Sequence, residues 1–187
     1  MQIKDRLFYI VMPAALFSGL LLGATFACRT DTTALFTSAK ESFASPTLPM
    51  DSFVQALFQN LSFSALLFFL GTTVLGPLPA ALLLGARGYA VGFSVAALVA
   101  SFGFRGFCAA LCGIFPHTAL YIPFFCFLAM HGARFSGKLL KGGTPKPVHL
   151  PGYIFSSLIL TLPILLGCFW EGYISAPLLR TILGAHV

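Results

Sequence analysis

The sequence predicts an all-α, polytopic membrane protein of about five transmembrane helices, and three observations carry that prediction. Hydrophobic residues make up 58% of the 187 and charged residues 9%, against roughly 25% charged in an ordinary soluble domain. Mean hydropathy is +0.92. The apolar residues also fall in runs close to the roughly 20 residues a helix needs to cross the hydrocarbon. A cytosolic enzyme, an extracellular module and a disordered chain each need more polar surface than this. The chain therefore reads as a single integral membrane domain, residues 1–187.

The first apolar run, 7–27, is broken only by Ser18 and Thr25. Lys4 and Arg6 resemble the n-region of a signal peptide. The run outlasts a usual h-region, however, and no small-x-small site precedes Cys28, so an uncleaved span is expected. Residues 28–60 are the most polar stretch and read as an external loop. Near its end Pro49 precedes the N-cap candidates Asp51 and Ser52. Phe53, Val54, Leu57, Phe58 and Leu61 then recur at helical spacing, which predicts a short amphipathic helix at the interface.

A second span is expected over 61–84, closed by a Gly85-Ala86-Arg87-Gly88 turn, and a third over 88–102. In the third, Gly88, Gly92, Ala96 and Ala100 fall four apart and line one helical face with small side chains, a pattern that lets another backbone approach closely. Gly103-Phe104-Arg105-Gly106 makes the next break. The fourth span, 107–130, contains Pro116 and Pro123, each lacking a backbone donor, so it reads as kinked or split, or as a re-entrant piece plus a span. A basic loop over 131–150 carries Arg134, Lys138, Lys141 and Lys146, and the last span covers 153–170.

Five spans put the N-terminus in the cytoplasm and the C-terminus outside. Lys4, Arg6, Arg87, Arg134, Lys138, Lys141 and Lys146 then lie inside, seven of the eleven Lys and Arg residues, in agreement with the positive-inside rule. The net charge of +6 is too scattered for a nucleic-acid groove. Of the five cysteines, Cys108 and Cys112 sit one helical turn apart, but no further thiol or clustered His completes a metal site. No metal or cofactor is expected.

No G-x-S-x-G elbow, H-E-x-x-H motif or Asp pair occurs, so no catalytic residue is assigned. Two ionisable residues near membrane depth carry alternative readings. His117, after Pro116, either joins a partner or ligand site or, neutral, bonds a carbonyl freed by a proline. Glu171, beside Trp170 and Tyr173, either joins such a site or caps the last span at the aqueous boundary. Asn60, at the mouth of the second span, reads as a polar hinge or a ligand contact. The external segments are too short for an independent catalytic domain.

An ordered set of marks resembles the stage II sporulation protein M family. It comprises Phe58-Gln59-Asn60, Leu70-Gly71, Gly76-Pro77, Gly88 with Val91-Gly92-Phe93, and Gly103 with Arg105-Gly106-Phe107. Phe115-Pro116-His117 with Pro123, and Glu171-Gly172-Tyr173-Ile174 with Pro177, complete it. The resemblance covers about 53–180, and the first span more loosely. Where many relatives follow Pro-His with Gly and a later Glu, this chain has Thr118 and Tyr121. The resemblance implies a non-enzymatic membrane scaffold at the sporulation septum of endospore-forming bacteria. Its implied partners are two peptidoglycan hydrolases, stage II sporulation proteins D and P, held together during forespore engulfment. Asn60, Gly71, Pro116, His117, Pro123, Glu171 and Tyr173 are the motif positions that would contact a partner or ligand, and a homo-oligomer is also compatible. The competing expectation is a small transporter or substrate-binding subunit with a midplane site near His117, since discontinuous helices often form such sites.

Overall fold

Glycine and proline decide where the apolar helices are cut. In the computed structural model, which describes residues 3–30, 37, 49–73, 75–140 and 150–184, the elements follow in order. They are α1 (Ile3–Arg29), α2 (Pro49–Thr72), α3 (Pro77–Ala109), a π turn (Ala110–Ile114), α4 (Phe115–Leu140), α5 (Leu150–Trp170), a second π turn (Glu171–Ser175) and α6 (Ala176–Gly184). The described residues contain no strand. Among the described residues, four stretches are long and apolar enough to cross a membrane: Tyr9–Arg29, Pro49–Thr72, Pro77–Gly137 and Leu150–Leu179. The chain is a helical, multi-pass membrane protein. The expected loop residues 31–36 and 38–48, and Lys141, Lys146 and His149, lie outside the described residues.

The cuts differ from the sequence reading at three places. The amphipathic segment at 53–60 is not a separate interfacial helix but the opening turns of α2, which ends at Thr72. Residues 77–84, expected in that same span, begin α3 instead. Pro77 and Pro79 sit in the first turn of α3, where a missing N–H costs nothing, while the Thr73 and Gly76 amides close a tight turn onto Leu70 and Thr73. That turn is itself apolar, so hydropathy does not mark it. Finally, Gly85-Ala86-Arg87-Gly88 is no turn at all; it lies inside α3.

The real reversal is at Gly103, with φ 58° and ψ −132°, a left-handed position open to glycine. A Cβ on Gly106 would strike the Leu98 carbonyl, although residues 98 and 106 would lie about 12 Å apart along an unbroken helix. The chain therefore doubles back, and the Pro77–Gly137 stretch has two legs, 77–102 and 104–137. Leu98, Ala109 and Ala110 form the small core of this hairpin. In the descending leg the disruption falls in the π turn just before Pro116. Pro116 cannot donate to Cys112, and the Phe115 amide reaches back five residues to the Ala110 carbonyl. Pro123 stays inside a continuous α4.

Bare glycine faces bring α1 and α3 together in parallel. A Cβ on Gly88 or Gly92 would collide with the carbonyls of Leu16 and Leu20, and one on Gly19 or Gly23 with those of Gly85 and Tyr89. Of the small-residue stripe, Gly88 and Gly92 thus meet α1, whereas Ala96 is half-buried and Ala100 is exposed. The main core gathers Met12, Leu16, Leu67, Leu84, Phe125, Leu128 and Ile164. The outer face of α5 presents Phe155, Leu158, Leu162, Leu166 and Phe169, the composition a lipid-facing stripe requires.

At the end of the bundle opposite Gly103, Tyr153 closes the structure. Its ring stacks on Phe135 at 4.3 Å and on Phe68 at 5.0 Å, and its hydroxyl donates to the Phe68 carbonyl at 2.9 Å. Gly71 and Gly132 meet beside it, each without a side chain to hold the helices apart. Nearby, the Arg134 guanidinium covers the Tyr9 ring at 4.3 Å, a cation–π contact. This end is tightly packed.

Candidate functional site: a charged cavity between the helices

The opposite half of the bundle holds a cavity of about 410 Å³. Its walls come from α2 (Ser52, Gln55, Gln59), α3 (Arg87, Ala90, Ser94), α4 (His117, Thr118) and the second π turn (Glu171, Ser175). All of these residues lie between mid-depth and the Gly103 end. Arg87 stands roughly 15 Å along α3 from Pro77 and about 22 Å from Phe102, so it is an intramembrane cation. The sequence reading had counted it among the cytoplasmic charges.

Arg87 is held from below by α2. Its Nη2 donates to Asn60 Oδ1 at 2.7 Å, while Asn60 Nδ2 donates to the Ala56 carbonyl at 2.8 Å. Asn60 is fully buried, so both ends of its amide are paired, as a buried amide requires. The rings of Phe63, Tyr121 and Phe125 surround the guanidinium with centroids 5.7–5.8 Å from Cζ, close enough to compensate in part for lost hydration.

Across the cavity, Tyr121 donates its hydroxyl to Glu171 Oε2 at 2.7 Å. The tyrosine ring seats over Gly167, where a Cβ would collide with it, and this seat on α5 aims the hydroxyl one turn onward at the carboxylate. Glu171 and Arg87 line the same cavity, yet no direct ion pair joins them. His117 is buried, with its ring 5.6 Å from that of Tyr121 in an edge arrangement. Its Nδ1 has no hydrogen-bond partner. Nearby, the Gly113 carbonyl accepts the Ser175 hydroxyl at 2.6 Å.

Two of the expected motif residues, His117 and Glu171, therefore line one cavity, and a third, Asn60, holds Arg87 in its wall. Pro116 contributes by loosening the turn before His117. The others lie elsewhere: Gly71 is at the closed end, and Pro123 is exposed on α4. Tyr173 is exposed; it stacks on Phe169 at 4.8 Å and donates to Met50 Sδ at 3.3 Å. Sequence reasoning missed Arg87 and Tyr121. The available signal for Arg87 was a lone charge between apolar runs with no true breaker on either side.

Comparison with known proteins adds the decisive observation: the model of the family described as Stage II sporulation protein M matches residues 12–176. The chain belongs to the stage II sporulation protein M family. No curated protein and no solved structure matches it. Membership makes this a sporulation-family membrane protein, and the matched region contains every residue of the charged cluster.

One consequence concerns the tyrosine bond. Tyr121→Phe removes a hydrogen bond to a carboxylate and should cost about 2 kcal/mol, read as a lower melting temperature of the detergent-solubilised protein. An unchanged melting temperature would show that Glu171 does not depend on this donor.

Proposed function

We propose that this chain is a non-enzymatic membrane scaffold that gathers two peptidoglycan hydrolases, stage II sporulation proteins D and P, at the septum during forespore engulfment. The observation that carries this reading is the family match over residues 12–176. The family is not known as one of enzymes. The scaffold acts by confinement: docking the membrane anchors of both hydrolases on one rigid bundle raises their effective concentration without altering their chemistry. The end bearing Arg134 faces the cytoplasm, by the positive-inside rule, so the charged cavity opens outward. Both hydrolases should co-purify with the tagged full chain from sporulating membranes, and recovery of neither would overturn the reading.

A second reading is favoured by the cavity itself. A polar pocket that reaches His117 at mid-depth is what a ligand-binding membrane subunit requires, and closure of the opposite end around Tyr153 limits access to one side. On this reading the protein binds a small solute from outside, whether or not it also gathers partners.

A further inference from the structure

The cavity holds one cation and one anion that face the same space without meeting, and we propose that it binds a small zwitterion, an amino acid or short peptide. The carboxylate of the zwitterion docks on Arg87 and its ammonium on Glu171. This rests on the second reading above and names its ligand class.

Each charged group is anchored on one side and open on the other. Arg87 gives one N–H to Asn60, and the residue lines the cavity. A planar fork of donors matches a carboxylate, which it can engage through two parallel bonds. Glu171 accepts from Tyr121 through Oε2 only, and the residue lines the same space. His117 adds an imidazole to the same wall. Ser52, Gln55, Gln59 and Ser94 supply uncharged donors and acceptors around the upper wall.

Charge balance selects the zwitterion over a simple ion. The site is already neutral overall, and a net charge brought to mid-depth bears a desolvation cost that a second, opposite charge relieves. A ligand carrying both signs pairs with both residues and leaves the sum at zero. A bare metal ion fits less well, because among the described residues no three His, Cys, Asp or Glu side chains gather. The volume of about 410 Å³ lies within the range of small-molecule sites.

The test uses the full chain in lipid nanodiscs, titrated calorimetrically with alanine, dialanine, propionate and ethylammonium. Alanine or dialanine should bind, with each half-analogue about tenfold weaker or more. Glu171→Gln should weaken the zwitterion to the level of propionate and leave propionate unchanged. Ala90→Trp, at an exposed position on the cavity wall, should abolish binding while the melting temperature holds, which guards against a folding defect in Glu171→Gln. If propionate binds as tightly as alanine and Glu171→Gln has no effect, the zwitterion is wrong while the ligand-site reading stands. If none of the four probes binds a chain of native melting temperature, both fall. They fall too if the probes are silent and a co-reconstituted partner shields Ser94→Cys from a water-soluble maleimide, for the occupant is then a protein helix.

Discussion

Gly88→Leu should separate α1 from α3 and deprive the membrane domain of its tightest joint. The Gly88 Cα faces the Leu16 backbone, and even a methyl there would collide with the Leu16 carbonyl and crowd the Leu20 amide. Backbone has no rotamer to yield, so α1 must move bodily. Its displacement also breaks the matching contacts of Gly19, Gly23 and Gly92. Overpacking of this kind costs about 3 kcal/mol, equivalent to a fall of roughly 6–12 °C in melting temperature for a chain this long. Ala100→Leu, further along the same stripe but exposed, should shift it by less than about 2 °C. Equal melting temperatures for the two variants would refute the idea that close backbone approach holds this pair.

Arg87→Met should be comparably damaging, for an electrostatic reason. It leaves the fully buried Asn60 Oδ1 without its donor and Glu171 without the positive charge that shares its cavity. An orphaned polar atom together with an uncompensated carboxylate costs about 3 kcal/mol. The double variant Arg87→Met/Glu171→Gln should recover part of that loss, because removing the carboxylate charge removes the imbalance. A double-mutant cycle in melting temperature reads the coupling directly. Strictly additive losses would mean that the two charges fold independently and share no field across the cavity.

The helical membrane class was legible in composition, because no soluble packing can hide so much apolar surface. The break at Gly103 was legible as well, from the Gly103-Phe104-Arg105-Gly106 stretch. The cut between α2 and α3 was not: Thr73-Val74-Leu75-Gly76 is as apolar as a span, and only the paired prolines after it mark a helix start. Arg87 was misread for a related reason. Glycines on both sides suggested a turn, whereas Gly85 and Gly88 serve lateral contact with α1 inside a continuous helix. His117 and Glu171 were visible as ionisable residues near membrane depth. Their convergence depends on the fold of three non-adjacent segments, and so does the choice of Tyr121 as the donor that fixes Glu171. A single chain without the fold gives no register between those segments.

The two π turns, 110–114 and 171–175, lie side by side, with Ser175 latched to the Gly113 carbonyl and Leu179 covering Gly113. A π turn lodges one surplus residue in a helix, and excising it would rotate everything beyond by about 100°. Because the surpluses are fastened to each other, trimming either segment alone would throw its helix out of phase with its neighbour. The two segments are thus matched in length, and single-codon deletions in either should be far less tolerated than deletions elsewhere at this end of the protein.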